Sequence, residues 1–235
     1  MSWSTWMTWS SWAQNQTHFF DLVATKVLLR EVGELRNGTT VSFLGRRLRH
    51  VGQTVQILTA VDYIADMLKD NGLVNANSVN TPGSTSRKTT DGVSTLTSEG
   101  TRLYRRTVGR LMWLIPIRPD INFAVKELSR AMQSPTEDDQ ARLKQTLRYL
   151  KGTEDYVYAI TPHMHTSTNS IVDVTCCVDS DWAGCRTTRT SNSGAVINFL
   201  GTAVQHYSRT PCTIATSSGE PEFMHSGSER QKHLE

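Results

Sequence analysis

The fold of this chain is decided by a short stretch, CVDSDWAG at residues 177–184. An apolar, β-rich run that includes Ile171 and Val174 leads directly into Asp179 and Asp181 and then ends at a small-residue turn. The run predicts a half-buried strand, on which residues two apart project to one face. Paired carboxylates at the end of a strand can begin a Mg²⁺ site. The alternative is that these acids only solvate the exit from the strand.

Composition predicts a globular protein without a membrane partner. The 235 residues can bury a core in one large domain or two small ones. Mean hydropathy is −0.39, no apolar run approaches the roughly 20 residues of a membrane span, and the amino terminus lacks signal-peptide order. We therefore expect an intracellular protein, cytoplasmic or nuclear, with reduced cysteines. No C-x₂-C spacing occurs, which argues against a zinc site.

The net charge of +3 is unevenly distributed along the chain. Residues 101–152 hold eleven lysines and arginines against five acids, which leaves the rest of the chain with a net charge of −3. A basic segment of this kind can follow the phosphate backbone of a nucleic acid. On charge alone, a solvated helical face explains the segment equally well.

Short strands and a helix are predicted before the basic segment. After an Asn-Gly turn signal, residues 41–45 are typical of a strand, and a basic cluster follows on the returning strand. Residues 55–58 predict the next strand, Thr59 is the expected cap of a helix, and an Asp-Asn-Gly sequence at 70–72 ends that helix. The apolar stripe of the helix consists of Val61, Ile64, Ala65 and Leu68. Residues 77–100 predict a polar linker.

The basic segment predicts three short amphipathic helices. The first runs on to Pro116, Asp120 is the expected N-cap of the second, and Ser134-Pro135 begins the third, which Lys151-Gly152 ends. The expected buried positions are Tyr104, Val108, Leu111 and Met112 in the first helix; Ile121, Ala124, Val125, Leu128 and Met132 in the second; and Leu143, Leu147 and Leu150 in the third. Helices of this kind can close a small core together.

Three consecutive strands and a helix are predicted near the carboxyl terminus. Residues 193–200 and 203–208 are typical of two strands around a Gly201 turn, after the strand that contains Asp179. SSGE at 217–220 resembles a capping box, so Glu222 would lie in the first turns of a helix. Such a fold is able to bring Glu222 near Asp179.

Ordered motifs carry a resemblance to a known family. They are YRRTVGRLMWL at residues 104–114, RPDI at 118–121 followed by FAV at 123–125, DSDWAG at 179–184 and SSGEPEF at 217–223. They are similar to the patterns YR-x₂-VG-x-L-x-YL, RPDI-x-FAV, SDSDWAG and SSTEAEY of the Pol polyprotein of Copia-type LTR retrotransposons. The resemblance covers about residues 18–225, and FLG at 43–45 resembles the strand near the primer, beyond the polymerase active site.

The resemblance implies an α/β fold of the α+β type. Its parts would be the end of a reverse-transcriptase palm, a helical thumb and connection, and an incomplete ribonuclease H-like mixed sheet. The corresponding segments are 17–76 for the palm end with its helix, 77–100 for the linker, 101–153 for the basic thumb and connection, and 154–235 for the truncated ribonuclease H-like domain.

The resemblance also implies a reverse transcriptase and a ribonuclease H that act on RNA–DNA hybrids. Asp179 and Glu222 would be catalytic carboxylates that bind Mg²⁺, with the metal activating a water for attack on the RNA strand. The hybrid would be held by its backbone. The side chains that would hold it are Arg46, Arg47, Arg105, Arg106, Arg110, Lys144, Arg148 and Lys151.

Departures from the family pattern bear on activity. The polymerase signature YVDD is absent, no residue corresponds to the third metal-binding Asp, and Gly219 and Pro221 replace Thr and Ala at the start of the helix. We therefore expect a fragment of a Pol polyprotein that is inactive alone and has the rest of the polyprotein as its partner. The alternatives are a non-catalytic nucleic-acid-binding module that uses the basic helices 101–152, or an inert product with an open sheet edge.

The amino terminus carries a separate signal, because Trp recurs at every third position from Trp3 to Trp12. No globular element favours that period. Trp and Met have single codons, so reading the WMT at 6–8 from one base earlier forces Asp-Asp, within a sequence that can read YVDDL. We therefore interpret residues 1–16 as a frameshifted, non-native translation of the polymerase signature. The underlying DNA sequence tests this interpretation.

Overall fold

The computed structural model describes residues 35–83, 94–161, 174–181 and 192–210, which all belong to the unit that extends from Leu35 to Glu235. The interpreted frameshift at residues 1–16, the predicted helix near 217–223 and Glu222 lie outside the described residues.

Two antiparallel sheets and four α-helices make up the described part of the chain. The first sheet has the order β1 (Thr40–Phe43), β2 (Arg46–Val51), β3 (Thr54–Leu58) and β4 (Val157–Ile160). The second has the order β5 (Val174–Asp181), β6 (Asn192–Phe199) and β7 (Thr202–Arg209). The helices are α1 (Val61–Asp70), α2 (Ser98–Leu114), α3 (Asn122–Arg130) and α4 (Glu137–Gly152). This mixture of helices and antiparallel sheets is of the α+β type. In the described ranges, no helix is both long and apolar enough to cross a membrane.

The first hairpin confirms the predicted strand and the basic strand that returns from it. Strands β1 and β2 pair from Thr40 with Arg49 to Phe43 with Arg46. Leu44 and Gly45, which were expected to continue the strand, form the turn instead, with φ angles of 48° and 74°. Two successive residues with positive φ match the right-handed twist of a hairpin. The tip is exposed, at 53% for Phe43 and 78% for Leu44.

The fourth strand of the first sheet comes from a distant part of the chain. Strand β4, which the sequence interpretation assigned to the segment 154–235, pairs with β3 so that Ile57 faces Tyr158 and Leu58 faces Val157. Thr59 does not cap α1 as expected. Its hydroxyl donates a hydrogen bond to the carbonyl of Tyr156, and the N-cap position of α1 belongs to the next residue.

Helix α1 ends where the sequence predicts. Gly72 has a φ of 66°, and the amide of Leu73 donates to the carbonyl of Leu68 at 2.8 Å, which is the pattern of a Schellman motif. Ile64 and Leu68 are buried as predicted, whereas Ala65 is exposed and Met67 takes its place in the core.

The four helices share one hydrophobic core, as predicted for the helices of the basic segment. Its members are Ile64, Met67, Leu68, Tyr104, Val108, Leu111, Leu114, Ile117, Ile121, Val125, Leu128, Leu143, Leu147, Tyr149 and Leu150. Ile57 and Tyr158 pack against this core from the first sheet. Two predicted positions differ, because Met112 is 47% exposed and Met132 is only partly buried. The buried stripe of α2 continues from Leu111 to Leu114 and leaves Met112 at its edge.

Helix α4 begins later than predicted. Its N-cap is Thr136, not the Ser134-Pro135 pair, and Thr136 and Asp139 form a capping box. The acids at 137–139 occupy the first turn, as expected. Helix α2 begins inside the predicted linker, with Thr97 as its N-cap.

The second sheet confirms the predicted order of three strands, with a turn at Leu200 and Gly201. Strand β5 was expected to be half-buried, and this is wrong, because its residues 174–179 are exposed. Strands β5 and β7 are both edges of this sheet, but α3 and the first sheet contact β7. There, the amide of Thr161 donates to the hydroxyl of Thr202 at 3.1 Å, and the Tyr158 hydroxyl donates to the carbonyl of Ala203.

Candidate carboxylate site and nucleic-acid interface

Asp179 lies in a shallow cavity between the second sheet and the start of α3. It is exposed on β5, opposite Gly194 of β6. The cavity has a volume of about 460 Å³, and Asn122, Phe123 and His206 also line it. The side-chain amide of Asn122 lies 3.4 Å from Nδ1 of His206, so the helix and the sheet contact each other beside the carboxylate.

Lys126 ties α3 to the same sheet. Its ammonium donates to Oδ1 of Asn192, which also accepts a hydrogen bond from the hydroxyl of Thr210 at 3.2 Å. These contacts hold the start of β6, the strand that pairs with the strand of Asp179, against α3.

The implied Mg²⁺ site is only partly represented in the described residues. Asp179 contributes a carboxylate to the lining of the cavity, whereas Mg²⁺ requires near-octahedral oxygen coordination. Among the residues that the structure describes, no group of three or more His, Cys, Asp or Glu could hold a metal ion. Glu222, the second implied ligand, lies outside them. The donor set present here therefore amounts to one of the two implied carboxylates.

Three of the basic residues expected to bind nucleic acid contact backbone carbonyls of neighbouring segments. Arg105 donates to the carbonyls of Met132 and Gln133 at 2.6 and 2.7 Å. Arg148 donates to the carbonyl of Asn77 at 2.6 Å. Lys151 donates to the carbonyls of Val74 and Ala76 at 2.6 and 3.0 Å. These side chains hold α2 and α4 to the connecting segments of the chain.

Arg110 and Arg106 join α2 to α1. Arg110 donates to Oδ2 of Asp70 and to the carbonyl of Tyr63, each at 3.1 Å, and its guanidinium lies 4.5 Å from the centre of the Tyr63 ring. Arg106 forms an ion pair with the same Asp70 at 3.5 Å. The charge of both arginines is therefore shared with a carboxylate of the neighbouring helix.

Arg46 anchors the first hairpin on α2. Its Nη2 donates to the carbonyl of Trp113 at 3.1 Å, and its guanidinium lies 4.8 Å from the centre of the Trp113 ring, which is a cation–π contact. The Trp113 ring lies 5.0 Å from that of Tyr63. This stack of rings and guanidinium holds the base of the exposed hairpin tip.

Arg47 and Lys144 complete the set of expected nucleic-acid-binding residues. Both are exposed, Arg47 on β2 and Lys144 on α4. Neither has a hydrogen-bond or ion-pair partner within the described ranges. The structure therefore places the eight basic residues in several different surroundings, and it does not gather them on one helical face.

A buried network around Arg118 was not identified from the sequence. The Arg118 side chain is 2% exposed and its Nη2 lies 2.7 Å from Oδ2 of Asp120. Arg118 also donates to the carbonyl and the hydroxyl of Thr153, at 3.0 and 2.6 Å, and the Tyr149 hydroxyl donates to Oδ2 of Asp120 at 2.8 Å. Asp120 was expected to cap α3, and this is wrong, because Ile121 occupies the N-cap position. The available signal was an Arg and an Asp two residues apart between apolar residues.

The same network makes stability depend on pH. Burial raises the pKa of Asp120, but the hydrogen bond and charge of Arg118 and the hydrogen bond from Tyr149 outweigh it, so the pKa lies below its ordinary value. A carboxyl whose pKa is lower in the folded state stabilises the fold at pH values above its unfolded pKa of about 3.9. This stabilisation is lost as the pH falls through the folded-state pKa.

We expect the urea midpoint of Asp120→Asn to fall less steeply below about pH 4 than that of the wild type. Parallel plots of urea midpoint against pH for the two proteins would contradict this.

Comparisons with known proteins place the chain among transposon proteins. It is 35% identical over 168 residues to the uncharacterized mitochondrial protein AtMg00810 of Arabidopsis thaliana, a match that covers 71% of the chain and 66% of the relative. It is 30% identical over 206 residues to the retrovirus-related Pol polyprotein from transposon RE2 of the same plant, which covers 88% of the chain. It is also 30% identical over 181 residues to the Pol polyprotein from transposon RE1, which covers 77% of the chain.

The chain spans 13% of the RE2 polyprotein and 12% of the RE1 polyprotein. No protein-family model matches the sequence, and no solved structure gives a significant match. The sequence identity to these relatives nevertheless extends over 71% to 88% of the chain. The chain therefore belongs to the retrovirus-related Pol polyproteins of Copia-type transposons.

Proposed function

We propose that this chain is the part of a Pol polyprotein that holds an RNA–DNA hybrid beyond the polymerase centre, and that it does not catalyse a reaction by itself. The observation that carries the proposal is the first hairpin, which presents the exposed apolar residues Phe43 and Leu44 at its tip. Neighbouring exposed apolar side chains mark interaction sites. The contact between Arg46 and Trp113 anchors this tip on the helical core.

The tip suits a nucleic acid better than an apolar protein surface. Arg46 and Arg47 follow it directly on β2, and strands β1 to β4 contain no acid. An aromatic ring beside basic side chains is the combination that binds single-stranded nucleic acid, such as an unpaired end of a hybrid, with a base stacked on the ring and the phosphates attracted by the cations. The resemblance of FLG at 43–45 to the strand near the primer agrees with this role.

Catalysis would require residues beyond those that the structure describes. We propose that Asp179 and Glu222 hold Mg²⁺ in the whole polyprotein, where the ion would supply an activated water for hydrolysis of the RNA strand. The position of Asp179 on an exposed strand, beside a cavity that α3 borders, leaves its carboxylate accessible. The remainder of the polyprotein is the partner that would complete the site.

Phe43→Ala tests the proposed function. We expect the 235-residue chain to bind a labelled RNA–DNA hybrid that has a single-stranded end, with an affinity that falls linearly on a log–log plot against salt. The variant should bind about tenfold more weakly, because a base stacked on an aromatic ring contributes about 1–3 kcal/mol. The salt slope should stay unchanged, since an apolar ring displaces no counterions from the phosphates. Fluorescence anisotropy over a salt series measures both quantities.

Phe199→Ala is the matched control, because Phe199 is an exposed Phe on the second sheet. Its hybrid affinity should equal that of the wild type. Wild-type protein that fails to bind the hybrid, or an equal loss in both variants, contradicts the proposal. Cleavage of the hybrid in the presence of Mg²⁺ that Asp179→Asn abolishes would show that the chain is catalytic on its own.

A further inference from the structure

An irregular segment of the chain lies along helix α4. Residues 73–83, here called the strap, follow α1 and belong to no helix or strand of the described structure. Leu73 and Val79 of the strap are partly buried and pack against the helical core. The sequence predicts a polar linker from residue 77 onward, but the structure holds these residues against the helices.

Side chains of α4 donate hydrogen bonds to main-chain carbonyls of the strap. Thr146 donates to the carbonyl of Pro82 at 2.8 Å, and the longer side chains of Arg148 and Lys151 reach the first half of the strap at 2.6 Å. Together with Gln145, these donors contact the carbonyls at positions 74, 76, 77, 81 and 82. Because every residue of a peptide carries a carbonyl, these hydrogen bonds do not depend on particular strap side chains.

The donors lie on one side of α4. Gln145, Arg148 and Lys151 are three residues apart, and residues at that spacing are neighbours on the surface of a helix. Gln145 also donates to the hydroxyl of Thr81 at 3.3 Å, which adds one side-chain contact. A single helical face therefore provides the row of donors.

Gly152 makes room for the strap at the end of this face. A Cβ atom at position 152 would lie 2.8 Å from Cβ of Ser78, which is closer than two carbon atoms pack. Gly109 in α2 differs, because a Cβ atom there would meet no atom outside its own helical turns within 4 Å. The face of α4 therefore combines hydrogen-bond donors with space for a closely approaching main chain.

We propose that this face, formed by Gln145, Thr146, Arg148, Lys151 and Gly152, is a binding site for a peptide main chain. Its ligand is an uncharged segment with a small residue beside Gly152. Residues 74–82, which contain no charged side chain, occupy the site in this chain. The site takes a second peptide of the same kind when the strap is displaced, and it involves neither the hairpin tip nor Asp179.

Gly152→Ala in the full chain tests whether the close approach at Ser78 holds the strap. Thermolysin cuts before apolar residues such as Val79, so cleavage at this position, followed by mass spectrometry, measures release of the strap. We expect cleavage to become about tenfold faster, because an added methyl group in a filled contact shifts the local equilibrium toward the open form. The matched control is Gly109→Ala, which should be cleaved at Val79 like the wild type.

A synthetic peptide of residues 73–83 tests whether the site binds a separate main chain. Val79→Ser removes an apolar anchor of the strap in the full chain and leaves α4 unchanged, so the peptide should bind this variant and shift the NMR signals of α4. Wild-type protein should not bind the peptide well below roughly 1 mM, which is the effective concentration of a tethered segment. Replacing the exposed residues Asn75, Asn77 and Asn80 with alanine in the peptide should leave its affinity unchanged.

Removal of the two cationic donors tests their role. Arg148→Ala/Lys151→Ala, added to Val79→Ser, should weaken peptide binding by about tenfold or more, because hydrogen bonds to charged groups are the strong ones. Arg102→Ala/Lys144→Ala removes two exposed charges and should leave the affinity unchanged.

Three outcomes overturn the site. The first is equal cleavage at Val79 in Gly152→Ala and Gly109→Ala, a comparison that decides the matter even if Val79→Ser does not fold. The second is a peptide that fails to bind Val79→Ser, or that loses the same affinity with either pair of cations removed. The third is loss of binding by the alanine-substituted peptide, which would mean that strap side chains and not carbonyls are recognised.

Discussion

Replacing Arg118 with alanine is expected to reduce the free energy of unfolding by about 3–5 kcal/mol, because it leaves one partner of a buried ion pair uncompensated. The carboxylate of Asp120 would lose the guanidinium that lies 2.7 Å away. The carbonyl of Thr153 would lose a donor at 3.0 Å. Since small domains are stable by only about 5–15 kcal/mol, this loss should leave much of the chain unfolded at 37 °C. Urea denaturation followed by circular dichroism measures it.

Arg106→Ala is the matched control for Arg118→Ala. Arg106 also pairs with an aspartate, but its side chain is 63% exposed and the distance is 3.5 Å. Exposed ion pairs contribute about 0–1 kcal/mol, so this variant should stay close to the wild type. The double variant Arg118→Ala/Asp120→Ala should recover part of the loss, because no buried charge then lacks its partner. Equal unfolding free energies for the two single variants would contradict the role of the buried network.

The second large effect is expected at Leu111. Leu111→Ala should destabilise the fold by about 2–5 kcal/mol, because it removes buried methyl groups and leaves a cavity. Leu111 is fully buried in the core that all four helices share. The midpoint of urea unfolding should fall while the dependence on urea concentration stays the same.

Met112 offers a control at the next position of the same helix. It is 47% exposed, so Met112→Ala should change the unfolding free energy by no more than about 0.5 kcal/mol. The sequence alone does not distinguish the two residues, since both fit the apolar face of α2 by spacing. If Met112→Ala lost as much unfolding free energy as Leu111→Ala, the assignment of the buried face of α2 would be wrong.

Most of the local structure follows from patterns within a few residues. The Asp-Asn-Gly sequence after α1 predicts its end, because a glycine in the left-handed region closes the helix with a local hydrogen bond. The strands β3, β6 and β7 follow from short β-rich runs and turn signals, and β2 follows as the strand that returns from β1. The helical core follows from apolar residues three and four apart. Each of these signals is complete inside one element.

The errors arise where distant residues compete for the same group. Thr59 is a good cap by residue type, but Tyr156 supplies a carbonyl that its hydroxyl binds. Asp120 is also a good cap by type, and Arg118 and Tyr149 hold its carboxylate instead. In each case a long stretch of chain separates the residue from at least one competing partner. A local pattern therefore does not show whether the side chain caps the helix.

The candidate site divides in the same way. The motif DSDWAG, which begins at Asp179, helps to identify the family and the strand that carries the carboxylate, while the exposure of Asp179 depends on which neighbours pack on the sheet. Basic residues can be counted from the sequence, but the sequence does not show which groups their side chains contact. Arg105 and Arg47 are both exposed arginines, but the carbonyls of Met132 and Gln133, which follow α3, accept hydrogen bonds from the first of them.

The sequence by itself determined the family, the α+β class and the order of most elements, because periodicity, turn chemistry and motifs are local properties. Only the tertiary structure decided that β4 completes the first sheet, that Arg118 is buried and that Arg46 packs on a ring 67 residues away. These contacts join segments far apart in the chain. Their energies depend on how deeply each group is buried and on which hydrogen-bond partners the fold brings beside it. A short stretch of sequence contains neither of these.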